Sequence, residues 1–61
     1  MIEKLTTSEK VKIELLRRKM TQTELAEKMS LDKMTISNRM SSNAWKDIEI
    51  YFMKHELGFD L

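Results

Sequence analysis

A chain of 61 residues holds one domain, and a domain of that size buries only about 60% of the surface its unfolded chain exposes, so it gains from a partner subunit. Eleven basic residues against ten acidic leave a net charge of +1, which makes bulk charge a weak argument for nucleic acid and shifts the weight to where the charges sit. The lack of cysteine excludes a disulfide framework and a thiolate metal site, the single histidine excludes a multi-histidine site, and no proline with one glycine suits a compact helical domain.

The opening Met-Ile-Glu-Lys carries no apolar signal core, and no apolar run approaches the roughly 18 residues of a membrane span. A soluble, unexported chain with no membrane association is expected. Thr6-Thr7-Ser8-Glu9 then has capping-box spacing, with Ser8 as an alternative cap. The first helix is expected from about residue 7 to Lys19, with Val11 and Leu15 on one apolar edge and Ile13, Leu16 and Met20 on another. Arg17, Arg18 and Lys19 end it, where cations complement the helix dipole.

Thr21-Gln22-Thr23-Glu24 is a second capping box, and Met20 and Leu25 are spaced as a hydrophobic staple around it. The second helix should span about 22–29 with Leu25, Ala26 and Met29 inward. Ser30-Leu31 makes a tight break. Asp32 can cap the third helix by accepting from the amide of Met34 or Thr35, with Leu31 and Ile36 repeating the staple. Ser41-Ser42-Asn43 is a polar turn, and Ser42 or Asn43 can cap a fourth helix at about 44–57. That helix carries Trp45, Ile48 and Phe52 on one side and Ile50, Met53 and Leu57 on another, more apolar surface than one contact needs. Gly58 sits where a left-handed residue ends a helix, so that Phe59 can fold back on Met53 or Lys54. The expected core is Val11, Leu15, Leu25, Ala26, Met29, Leu31, Ile36, Met40, Trp45, Ile48 and Phe52.

The third helix is unusual on its other side. Lys33, Met34, Ser37, Asn38 and Ser41 fall at i, i+1, i+4, i+5 and i+8, one continuous face opposite Ile36 and Met40. Lys33 stands in the first turn, where positive charge opposes the helix dipole, which makes sense if an anion or a guanine edge lies opposite.

"MTQTELAEKMSLDKMTISNRM" (20–40), preceded by "KVKIELLRRKM" (10–20), resembles the helix-turn-helix of phage repressor, Cro and XRE-type regulators. The likeness lies in Thr21-Gln22, Glu24-Leu25-Ala26, Met29, Leu31 and Thr35-Ile36-Ser37, and covers roughly residues 10–42. Ser30 departs from it, standing where the family has a left-handed glycine at a cost of about 1 kcal/mol. The C-terminal region is shorter and richer in aromatics than the family's tail. The resemblance implies an all-α, lambda-repressor-like domain over residues 1–61, with four helices, or five if the tail folds separately, and its motif at about 21–41. It implies base contacts from Lys33, Met34, Ser37 and Asn38, with Asn38 bidentate to adenine and Met34 against a thymine methyl. It implies phosphate contacts from Gln22, Thr23, Arg39, Ser41, Ser42 and Asn43, Gln22 lying at a helix N-terminus that favours anions in any case. The implied activity is transcriptional regulation in a bacterial cytoplasm on a double-stranded operator, acting sterically. A homodimer is expected because one short helix makes too few base contacts for useful specificity; the spare apolar surface of the fourth helix and the Phe59–Leu61 tail are its candidate interface, the rival being a broader intramolecular core around Ile13 and Leu16.

The rival is a protein-binding antirepressor that docks on a partner repressor, favoured by near-neutral charge and by Met34 on the surface. No acid/base dyad, nucleophile elbow or phosphate loop is marked, so no enzyme, metal or cofactor is expected, and His55 takes no catalytic role. Six methionines read as core filler.

Overall fold

A computed structural model describes residues 5–61; the Met1–Lys4 segment, in which a signal core was sought, lies outside the described residues. Four α-helices follow one another: α1 Thr7–Arg17, α2 Gln22–Met29, α3 Lys33–Ser42 and α4 Asp47–His55. The protein is a small all-α domain, and none of its helices is long and apolar enough to cross a membrane.

The first two helices begin where their capping boxes lie. Thr6 Oγ1 accepts from Glu9 N at 3.1 Å while Glu9 Oε1 accepts from Thr6 N at 2.8 Å. Thr21 and Glu24 repeat the arrangement at the same two distances. α1 stops at Arg17 rather than Lys19 because Lys19 turns left-handed (φ 53°). Lys19 N then donates to Leu16 O at 3.2 Å and Met20 N to Leu15 O at 2.8 Å, the two bonds of a Schellman motif. α2 ends in the same way. Ser30 is left-handed (φ 57°), Ser30 N donates to Glu27 O at 3.2 Å, and Leu31 N donates to Ala26 O at 2.9 Å. The tight break therefore has the geometry a glycine usually provides, made by a serine.

Two caps differ from expectation. Asp32 holds the N-cap position of α3 with extended backbone, but its exposed carboxylate makes no capping bond. The Ser30 turn and the packing of Leu31 against the core already set the direction in which α3 starts. The second concerns α4, which starts at Asp47, after Lys46, and not from Ser42 or Asn43. Asn43 is spent on ending α3: it is left-handed (φ 55°) and its N–H donates to Arg39 O at 2.8 Å. Glu49 instead reaches back, its Oε1 accepting from Lys46 N at 2.9 Å. The reciprocal bond is not made, since an ammonium has no lone pair to offer.

The core gathers Val11, Leu15, Leu25, Ala26, Ile36, Trp45, Met53 and Phe59, with Met20, Met29, Leu31, Met40, Ile50 and Leu57 packed around it. α3 lies against α2 and α1. Ile48, expected inside, is 70% exposed, and Phe52 is only half-buried; Met53 is fully buried in their place. The late start of α4 explains the exchange. Trp45 lies before the helix, so it no longer shares a helical stripe with Ile48 and Phe52, and Ile50, Met53 and Leu57 become the inward side. Gly58 (φ 72°) closes the chain back, Phe59 N donates to Met53 O at 2.9 Å, and both side chains are buried in the same core.

Candidate nucleic-acid interface

With Leu25, Ala26 and Ile36 buried between α2 and α3, the rotation of α3 is set. Its other face must then point to solvent. Lys33, Met34, Ser37 and Asn38 are all exposed, Met34 to 70%. A methionine so exposed gives up about the free energy of burying a large apolar side chain, some 1.5–3 kcal/mol, unless a partner covers it.

An open groove of about 400 Å³ runs beside this face, lined by Ser8, Glu9 and Lys12 of α1, Gln22 of α2, and Ser37, Met40 and Ser41 of α3. It brings together three residues that sequence reasoning selected, Gln22, Ser37 and Ser41. It adds Lys12, which was missed; Ser8 and Lys12 are four apart on one face of α1, and that spacing was the only available signal. Glu9 lies there too, with one carboxylate oxygen occupied by the Thr6 amide. The Lys12 ammonium, the Gln22 amide and the Ser37 and Ser41 hydroxyls around a concave surface, with the N-terminal turn of α2 opening onto it, favour an anion such as a phosphate. Thr23, next to Gln22, is exposed at the same helix start.

The remaining residues expected at phosphates are tied to the protein. Arg39 donates from Nε to Glu49 Oε1 at 2.9 Å and from Nη2 to Glu49 Oε2 at 3.1 Å, a bidentate pair. Burial pushes the Glu49 carboxyl up, but its bonds to Arg39 and to the Lys46 amide outweigh that and leave it below the usual glutamate range. The same pair raises Arg39. Ser42 Oγ donates to Asn38 O at 2.7 Å within α3. Asn43 Oδ1 accepts from Ser8 N at 2.9 Å and so caps α1 from across the fold.

Ser8 joins these parts. Its hydroxyl accepts from Trp45 Nε1 at 2.9 Å and donates to Arg39 O at 3.1 Å. The start of α1, the end of α3 and the approach to α4 are thus held at one buried point. On the far side, burial would raise the Glu14 carboxyl, but hydrogen bonds from Arg18 and Arg17 hold it below its ordinary value. Arg18 also donates to Gly58 O at 3.1 Å and lies 4.7 Å from the Phe59 ring centre. One member of the basic cluster that ends α1, Arg18, therefore fastens the C-terminal turn, while Arg17, among the described residues, binds Glu14 alone.

Among the described residues, no group of three or more His, Asp or Glu side chains is placed to hold a metal ion. No family model, curated protein or solved structure matches this chain.

Proposed function

We propose that the protein is a sequence-specific double-stranded DNA-binding regulator whose α3 enters the major groove. The observation that supports this reading is the exposed polar face of α3, held rigid by a buried contact with α2 and bordered by a groove carrying Lys12, Gln22 and Ser41. The major groove is wide enough for a helix. Lys33 and Asn38 would meet base edges, Lys33 a guanine and Asn38 an adenine, with Ser37 beside them and Met34 against a thymine methyl. Lys12, Gln22, Thr23 and Ser41 would contact the phosphates that set the register. Arg39, Ser42 and Asn43 serve chiefly to hold the end of α3 in place, through Glu49, Asn38 and Ser8. One short helix reads few base pairs, so two copies on half-sites about one helical turn apart are needed for useful selectivity. Bound there, they would block a promoter sterically.

Selection from a random duplex pool tests this. An enriched, two-fold symmetric site is expected. Asn38→Ala and Lys33→Ala should relax it at single positions, by about 1–3 kcal/mol for each good bidentate pair. Lys12→Ala should instead weaken all sequences alike and reduce the salt dependence by about one counterion. Folded protein that enriches nothing at low salt would sink the reading. The exposure of Met34 favours a second reading, an antirepressor docking on a partner regulator; its binding would be nearly indifferent to salt.

A further inference from the structure

A contact with a thymine methyl needs only an aliphatic side chain, and Met34 brings a thioether to it. Met34 stands 70% exposed in the first turn of α3. The other methionines of the described residues are shielded: Met20, Met29 and Met40 are half-buried against the core, and Met53 is fully buried. Other groups that two-electron oxidants attack are missing or sheltered. The chain has no cysteine, and the Trp45 indole is buried with its N–H donating to Ser8 Oγ. Among the described residues, the sulfur most open to an oxidant therefore lies on the one helix face that the DNA reading commits to bases.

The chemistry needs no movement of the fold, because the side chain is already in solvent. A lone pair on Met34 Sδ attacks one oxygen of hydrogen peroxide. The S–O bond forms and the O–O bond breaks. The released hydroxide takes up the proton of the transferred oxygen and leaves as water. Sulfur gives up two electrons and the peroxide accepts them.

The product is polar and chiral where the thioether was apolar. Set against a thymine methyl, the sulfoxide loses its hydration and gains no hydrogen bond in return. Its oxygen is also a new acceptor one turn from Asn38, and side chains four apart are neighbours on a helix. The Asn38 amide that would donate to adenine then has a competing acceptor beside it. One added oxygen spoils two of the proposed base contacts.

We infer that Met34 is an oxidation site through which a two-electron oxygen donor, hydrogen peroxide being the simplest, releases the protein from its operator. The inference rests on the DNA reading. The thioether form binds, and the sulfoxide form binds weakly. A methionine sulfoxide reductase reverses the change: two thiols join as a disulfide, and the oxygen leaves as water.

Peptide mapping by mass spectrometry and duplex binding, on the full chain before and after hydrogen peroxide, test it. The probe is the duplex that untreated protein selects from a random pool. Oxygen should appear on Met34 before any other methionine of the described residues. Affinity should then fall about tenfold for each bound copy, comparable to one mismatched base pair in every half-site, with an unchanged melting curve. Reductase treatment should restore binding. Met34→Leu keeps an apolar side chain of similar volume without the sulfur; it should bind the duplex before treatment and lose nothing after it. Oxygen first on Met20, Met29, Met40 or Met53 overturns the inference, as does undiminished binding by the Met34 sulfoxide or an equal loss in Met34→Leu. Each of those results leaves the DNA reading standing, because untreated protein still selects a duplex. Untreated, folded protein that selects none sinks both.

Discussion

The α2–α3 unit and α4 are specified differently. The start of α2 and the turn into α3 can be traced to residues within a few positions of each end: the Thr21–Glu24 box, and the Ser30 turn that returns Leu31 to Ala26. α4 has only half a box, and its rotation follows from partners far along the chain. Glu49 is drawn inward by Arg39, and Trp45 is held by Ser8, 37 residues away. The comparison teaches that local signals set where a helix begins, whereas long-range polar partners decide which of two plausible apolar faces goes inside. In α4 the face with Met53 won, and Ile48 and Tyr51 were left outside.

The largest effects should separate the two faces cleanly. Ile36→Ala and Met53→Ala each remove a fully buried side chain and should cost about 2–5 kcal/mol in urea unfolding. Ile48→Ala, on the same helix as Met53, should cost no more than about 0.5 kcal/mol, as at other exposed positions. If Ile48→Ala were as damaging as Met53→Ala, α4 would be rotated the other way and the comparison would collapse.

That choice of face marks how far the sequence could be read. The helix count, the two capping boxes, the Ser30 break and the exposed Lys33–Asn38 face all follow from spacings of three or four residues, and local geometry produces them directly. The fourth helix was misjudged because its turn residues had two possible tasks. Asn43 looked like the N-cap of α4, but it ends α3 and caps α1, a bond across 35 positions that no pattern announces. The tie between Arg39 and Glu49 was not legible either, because the two residues meet only once α4 is folded against α3. Lys12 escaped notice for the same reason: it reaches the groove only when α1 lies beside α2 and α3.

A middle-sized effect should show whether the long-range polar point does position α4. Ser8→Ala removes the acceptor of the buried Trp45 N–H and the donor to Arg39 O. Leaving a buried donor unpaired costs about 1–3 kcal/mol. The loss should appear in thermal unfolding together with a changed Trp45 fluorescence spectrum, since the indole would lose its hydrogen bond in the native state. Lost stability with unchanged native fluorescence would mean that Ser8 matters to α1 alone.

The smallest expected effect bears on the local side, and it has the opposite sign. Lys19, Ser30 and Asn43 all hold left-handed backbone without being glycine. Asn tolerates that region, so Asn43 carries little strain, and its side-chain amide has a partner in Ser8. Ser30 has no such compensation: its side chain is exposed, and its position requires only the backbone of a Schellman turn. Ser30→Gly should therefore stabilise the protein by about 1 kcal/mol, less whatever the freer glycine loses in chain entropy. Asn43→Gly should destabilise, because the cap on α1 goes with the side chain. Opposite signs at two positions of nearly equal φ, measured as shifts of the urea midpoint at constant slope, would distinguish a turn that needs only a conformation from one that also needs a side chain. Equal signs would mean that Asn43 acts through its backbone alone, and the long-range bond to Ser8 would lose its place in fixing α1 against α3.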